Sequence, residues 1–198
     1  IKDNFLFNFK NGGILRDNQS NLFKSHISKM LKSKIDLIIT SGAVSAGKYD
    51  FVPSAVRNFQ LSNYFKSVAI RPGKPILFAK IKGKPKAVFG LPGNPISSAA
   101  CFRFFVYPYI RSLLGIKEEI SFKARLRNEF RKKNDFTRFV KSKLSTTKNG
   151  KLEVEILKGQ ESFRIKSFIQ SNIWVMLPSG KEKFKKGETV DCFFPNQS

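Results

Sequence analysis

Cysteine and histidine are almost absent from this chain: two cysteines and one histidine in 198 residues. Cys101 and Cys192 are far apart and form no CxxC pair, which argues against both a disulfide framework and a cysteine zinc site. Each reads as a small buried hydrophobe, Cys101 on a helix and Cys192 on a strand. His26 falls on an expected helix away from the glycine-rich loops, which argues against a general-base role. No apolar run reaches the length of a membrane span and no signal-peptide pattern opens the chain, so the cytoplasm is the expected compartment. Acidic residues are scarce as well, 14 against 37 lysines and arginines, for a formal charge of +23.

At 41% hydrophobic residues the chain is too apolar to be disordered despite that charge, and it is long enough for one large domain or two smaller ones. Lysine far outnumbers arginine, and Asn, Ile, Ser and Phe are plentiful, so a codon-composition bias accounts for part of the basicity. A field of this size attracts phosphates, oxyanions, nucleic acid and anionic surfaces without choosing among them. The 21 phenylalanines sit at core periodicity rather than interleaved with cations on one face. That argues against a nucleic-acid-binding protein.

The chain begins with Ile1 and runs into an alternating, strand-like stretch, Phe5-Leu6-Phe7-Asn8-Phe9, as expected of a chain cut from something longer. Phe23, Ile27, Met30 and Leu31 then recur at helical spacing, with Asp17 or Asn18 available as a cap. Leu37-Ile38-Ile39-Thr40 reads as a buried strand, and Val52, Ala55, Val56 and Phe59 as a second helix. Strands are expected over Phe65 to Ile70, Ile76 to Ala79 and Ala87 to Phe89, the last two joined by the Lys82-Gly83-Lys84 hairpin. Phe102, Phe105, Val106, Tyr109, Ile110 and Leu113 mark a long helix ending near Gly115. Alternating strands and helices predict a three-layer α/β domain over 1–116, incomplete at its N-terminus.

After about Glu119 the texture changes. Asn149-Gly150 is a hairpin turn, followed by Leu152, Val154 and Ile156 alternating with glutamates. Trp174 to Leu177 and Thr189 to Phe194 are further strands, and the charged run Lys181 to Lys186 reads as a solvated loop. Short strands between turn residues predict a small all-β barrel over 117–198.

Three loops place Gly or Pro where an expected strand ends. Thr40 to Asp50 is rich in small residues; its backbone N–H groups can approach an anion, and Ser41 and Ser45 add hydroxyls. Arg71-Pro72-Gly73-Lys74-Pro75 presents two cations across a fixed turn, which suits a phosphate or oxyanion. Gly90-Leu91-Pro92-Gly93-Asn94-Pro95 leads through Ser97 into the long helix, where Asn94 or Ser97 can also serve merely as a cap. Each loop alone is equally well an ordinary connection.

In order and spacing, the three loops resemble the molybdopterin-binding domain of molybdopterin molybdenumtransferases and gephyrin-like proteins. The match runs through Ser41 to Phe51, Arg71 to Pro75 and Leu91 to Ser97. Gly13 to Asp17 resembles the segment upstream of the first complete helix. Phe136-Thr137-Arg138, Gly159-Gln160-Glu161-Ser162 and Asn172 to Pro178 continue the match into the β module. The resemblance implies an enzyme of molybdenum cofactor biosynthesis that takes adenylylated molybdopterin and molybdate, releases AMP and leaves molybdenum on the dithiolene, assisted by Mg²⁺. It implies Asp17 and Asp50 as active-site acids and metal ligands, with Arg71 and Lys74 neutralising phosphate or molybdate. Ser41, Gly42, Ser45, Gly47, Pro72, Gly73, Pro92, Gly93, Asn94, Pro95 and Ser97 would form the pterin and phosphate cradle, joined by Arg138 and Ser162 from the β module. A homodimer is implied for the full-length protein, with no membrane partner.

Some positions depart from the family pattern. Ala43 and Glu161 stand where the family has Gly, as does Phe139, and Arg71 replaces a Lys. Ser67 occupies a frequent Lys position, with Lys66 on the opposite face if the segment is a strand. The two N-terminal domains and the opening strand and turn of the binding domain have no counterpart here. A pterin-binding module without turnover is therefore the alternative.

Overall fold

The helical spacing of Phe23 to Leu31 is realised as α1 (Ser20–Lys32) in a computed structural model that describes residues 7–16, 19–42, 51–57 and 59–195. Ile27 and Leu31 are buried, with Phe23 and Met30 half-buried beside them. Asp17 and Asn18 lie outside the described residues, and α1 has its N-cap position one residue further on. That position belongs to Gln19, whose side chain makes no cap bond and instead accepts from the Arg16 N–H at 2.8 Å. Residues 7–16 form no strand, contrary to expectation for Phe7 to Phe9. Alternation supplies a face but not a pairing partner, and Phe7 packs on the core from irregular backbone while Phe9 stays exposed.

The next elements are β1 (Leu37–Ser41), α2 (Phe51–Val56), β2 (Leu61–Phe65), β3 (Ile70–Arg71), β4 (Leu77–Ile81) and β5 (Ala87–Leu91). Four of the strands make a sheet in the order β1-β5-β4-β2, with β1 parallel to β5 and the other pairs antiparallel. The strand expected over Phe65 to Ile70 is displaced towards the N-terminus. Pairing to β4 ends at Phe65, and Lys66 and Ser67 are both exposed on non-strand backbone. Off a strand, neighbouring residues are not held on opposite faces, so Lys66 and Ser67 are not separated in that way.

The apolar stripe after Pro95 runs as α3 (Pro95–Cys101), a π-helical turn (Phe102–Val106) and α4 (Tyr107–Leu113). Pro108 accounts for the widened turn: it has no N–H for the carbonyl four residues back, and its ring crowds that carbonyl. On one face of the sheet, Ile96, Ala100, Val106, Tyr107 and Ile110 pack on Phe78, Phe89 and Leu91. On the other, Ile27, Leu31, Val52, Ala55 and Val56 cover Ile38, Leu77, Ala79, Ile81 and Val88. The period-two alternation along β4 divides its side chains between the two cores, giving three layers.

Beyond the linker lie β6 (Phe122–Leu126), β7 (Phe130–Arg131), β8 (Thr137–Thr146), β9 (Leu152–Ile156), α5 (Ile165–Gln170), β10 (Ile173–Leu177), β11 (Lys183–Phe184) and β12 (Thr189–Phe193). The order β10-β12-β6-β9-β8 closes on itself through pairing of β8 with β10, making a barrel filled by Leu126, Val140, Val154, Val175, Leu177 and Val190. The expected turn at Asn149-Gly150 joins β8 to β9, with Gly150 at φ 74°. The run Lys181 to Lys186 is not simply a solvated loop. It holds β11, paired to β7, and its single phenylalanine, Phe184, is 2% exposed in the barrel core. Five charged neighbours concealed one core position.

The two halves are joined in register. Along the edge of β8 that pairs with β9, residues 137–138 pair instead with β3, in parallel. Phe104 stacks on Phe139 with ring centroids 3.7 Å apart. Arg103, 4% exposed, pairs with Glu119 of the linker and donates from Nε to the Phe194 carbonyl. No helix among the described residues is long and apolar enough to cross a membrane.

Candidate functional site

Parallel pairing of β1 with β5 brings the ends of both strands to the same edge of the sheet. There Ser41 is opposite Leu91, and the Gly42 N–H donates to the Leu91 carbonyl at 2.9 Å. Gly42 has φ 87°, a conformation that strongly favours glycine. A Cβ on Gly93 would lie 3.7 Å from the Gly42 Cα, so the two glycines bring their backbones side by side. The Ser41 hydroxyl donates to the Pro92 carbonyl at 3.4 Å and lies 3.5 Å from the Ser98 hydroxyl, which donates to the same carbonyl. Ser98, which sequence reasoning passed over, thus ties the two loops together.

Asn94 is a true helix cap. Its side-chain oxygen accepts from the Ile96 and Ser97 N–H groups, both at 3.1 Å, and Pro95 opens α3 where its missing N–H costs nothing. Ser97 is buried.

The basic turn docks on that same helix. Gly73 sits at φ 106°, and a Cβ there would meet the Cys101 sulfur at 2.5 Å. The Cys101 thiol donates to the Gly73 carbonyl at 3.3 Å. Burial pushes this thiol up to about 12, so it is a packing and donor group rather than a nucleophile. The turn is closed by the Val68 N–H donating to the Lys74 carbonyl at 3.1 Å. Pro72 is half-buried and Pro75 likewise, leaving Arg71 and Lys74 exposed on either side of the buried glycine.

Both cations then meet the barrel. The Arg71 guanidinium lies 5.8 Å from the centroid of the Phe136 ring and the Lys74 ammonium 5.5 Å from it. Arg71 is also the register partner of Arg138 across β3 and β8. Burial, and secondarily the Arg71 charge, hold the Arg138 guanidinium below its usual range, against Asp135 and Glu161 acting the other way. Among the described residues the buried Arg138 Nε has no hydrogen-bond partner. A cluster of cations is thus gathered at the junction of the two halves, and among the described residues none of the three is in an ion pair.

A family model described as "Probable molybdopterin binding domain" matches residues 5–112. The chain belongs to that family. A second model, "MoeA C-terminal region (domain IV)", matches residues 123–193. The molybdopterin molybdenumtransferase of Staphylococcus epidermidis is 35% identical over 182 residues, which are 90% of this chain and 43% of that protein. Its counterpart in Staphylococcus aureus strain COL is 36% identical over 168 residues, 83% of this chain and 39% of the relative. Among solved structures, a molybdopterin biosynthesis MoeA protein from Pyrococcus horikosii has a TM-score of 0.64 at 27% identity, covering 89% of this chain and 41% of that one. A molybdenum cofactor biosynthesis protein from Pyrococcus furiosus has a TM-score of 0.65 at 25% identity, over 91% and 56%. The chain spans less than half the length of the curated relatives it matches.

The three loops singled out in the sequence, where they are described, gather around α3: Ser41 and the 91–97 loop through Ser98, and the 71–75 turn through Cys101. Ser45, Gly47, Asp17 and Asp50 lie outside the described residues. Ser162 is half-buried in the turn after β9, directly after Glu161, whose carboxylate acts electrostatically on Arg138. Among the described residues, no group of three or more His, Cys, Asp or Glu side chains is arranged to hold a metal.

Proposed function

We propose that this chain binds adenylylated molybdopterin and molybdate and takes part in molybdenum insertion with release of AMP. The observation that carries this is the Arg71, Lys74 and Arg138 cluster, without an ion pair among the described residues, whose 71–75 turn docks against α3, the helix opened by the Pro92-Gly93 loop. A half-buried guanidinium with an unpaired Nε and a like-charged neighbour is stabilised by an anion, and a tetrahedral oxyanion can take donors from several sides. The small-residue loops let a ligand approach backbone closely, while the cations offset the charge of its phosphates or of molybdate. Water would add across the anhydride, one phosphate leaving as AMP and the other staying on the pterin. The dithiolene sulfurs would displace oxygens of molybdate, which leave as water with the thiol protons.

The same reading assigns Asp17 and Asp50 to Mg²⁺, and Ser45, Gly47, Asn94, Pro95, Ser97 and Ser162 to the walls of the cradle. It takes 1–116 and 117–198 as the two domains, and a cytoplasmic homodimer as the state of the full-length protein. Both carboxylates lie outside the described residues.

The test is AMP release from adenylylated molybdopterin by the purified chain with molybdate and Mg²⁺, alongside calorimetric binding of molybdate. The expected result is release, with Arg138→Met weakening molybdate affinity about tenfold or more, as loss of a charge-assisted bond does. Pterin affinity without AMP release would establish the alternative, a binding module. Neither binding nor release by a folded sample would refute both.

A further inference from the structure

Among the described residues two lysines are buried, Lys132 at 7% and Lys141 at 1% exposure, and each donates from its ammonium to backbone carbonyls. Lys141 bonds the carbonyls of Gly159, Glu161 and Arg164, on a turn that the Gln160 amide and the Ser167 hydroxyl also hold. Lys132 bonds those of Lys133 and Phe136, both at 3.0 Å. The 132–136 turn is tied to the segment between β10 and β11 as well, the Lys132 N–H donating to the Glu182 carbonyl and the Gly180 N–H to the Asn134 carbonyl, each at 2.9 Å. One residue further on, the Thr137 N–H donates to the Ala69 carbonyl at 3.1 Å, where β8 meets β3. The backbone of Phe136 is therefore fixed from both sides.

From that fixed point the half-buried Phe136 ring reaches the two exposed cations that flank Gly73, Arg71 at 5.8 Å and Lys74 at 5.5 Å from its centroid. The neighbouring carboxylate, Asp135, accepts from the Phe136 N–H at 2.9 Å and forms no ion pair among the described residues. The choice of ring over carboxylate matters chemically. A carboxylate would restrain the two cations by neutralising them and would repel an incoming oxyanion. The negative face of a ring restrains them and leaves their charge intact. Long basic side chains lose rotamer freedom when they bind a ligand, and a side chain already held loses less. We infer that Phe136 is a positioning residue, whose ring holds Arg71 and Lys74 side by side for one oxyanion without cancelling their charge. The inference rests on the proposed oxyanion role of those two cations for its functional meaning, but not for its geometry.

The experiment replaces Phe136 with phenylalanines carrying one, two or three ring fluorines, which weaken the negative face stepwise at nearly constant shape, beside Phe136→Leu and Phe136→Tyr. The readouts are the heteronuclear NOE of the Arg71 Nε–H, which reports how tightly that side chain is held, and molybdate affinity by calorimetry. The NOE is expected to fall in the order of fluorine number. Molybdate affinity should fall in the same order, by about two- to fivefold at three fluorines, the scale of one exposed cation–π contact. Phe136→Leu should lose at least as much, and Phe136→Tyr should retain most of both. An NOE and an affinity that ignore fluorine number would reduce the ring to packing and overturn the inference. A fall in affinity with an unchanged Arg71 NOE overturns it too, since the ring would then act on the ligand rather than on the cation. If wild type itself binds no molybdate, the functional reading fails, and the Arg71 NOE across the fluorine series still decides the positioning role.

Discussion

The loops of the α/β half and the 159–164 turn of the barrel half are held in shape by different physical means. Gly42, Gly73, Gly93 and the Asn94 cap shape the first set through backbone: positive φ, close approach, and N–H groups satisfied at a helix start. The 159–164 turn is shaped by side chains, an ammonium, an amide and a hydroxyl reaching carbonyls. Backbone-shaped loops depend on residue types that announce themselves. A turn held by a buried lysine depends on a residue that looks like any other in a chain with 37 basic side chains.

The sharpest way to break the comparison is at the joint between the halves. Arg103→Met leaves the Glu119 carboxylate buried without its partner and frees the Phe194 carbonyl. The expected loss is about 3–5 kcal/mol, the range for breaking a buried ion pair, read by urea denaturation. Two separated transitions would show that the halves retain independent stability.

Within the α/β half, Gly73→Ala is expected to cost about 1–3 kcal/mol, because it combines a left-handed backbone with overlap against the Cys101 sulfur. Adding Cys101→Ala should recover the steric part and leave the φ strain. If the double variant is no more stable than the single one, the close packing of the turn on α3 is not what requires glycine there.

The smallest effect concerns charge in the barrel. Burial pushes the Asp191 carboxyl up, but hydrogen bonds from Lys123 and Ser121 and the Lys123 charge outweigh it and hold the group below its usual range. A carboxyl with a depressed folded value contributes stability that is present at neutral pH and lost as pH falls below about 4, through the folded value. Asp191→Asn should therefore flatten the acid limb of stability against pH, by no more than about 1 kcal/mol given the exposed Lys123 partner. An unaltered acid limb would mean that the pair is solvated in solution.

Much of the layered fold could be read beforehand because period and punctuation agree. Ile27 and Leu31 with their helical spacing, the continuous run from Leu37, and the Lys82-Gly83-Lys84 and Asn149-Gly150 turns each carry one local preference. The longest strand, β8, passed unseen because Arg138, Lys141 and Lys143 interrupt any apolar alternation, and two of those cations are at least half-buried by tertiary contacts. Phe184 was hidden among lysines for the same reason. The proline at 108 was visible, but its widened helical turn, which faces Arg103 towards the linker and β12, follows only from the packing around it.

What the sequence by itself determined is the set of loops and their family: small residues, prolines and a capping asparagine at fixed spacing specify local backbone wherever they occur. It named Arg71, Lys74 and Arg138 but not their meeting. Only the tertiary structure decided that the Phe136 ring lies beside both cations of the turn, that β3 borrows the open edge of β8, and that Lys141 holds a carbonyl cage. Those contacts join residues dozens of positions apart, and long-range proximity depends on how two cores pack against one another, which no local pattern encodes.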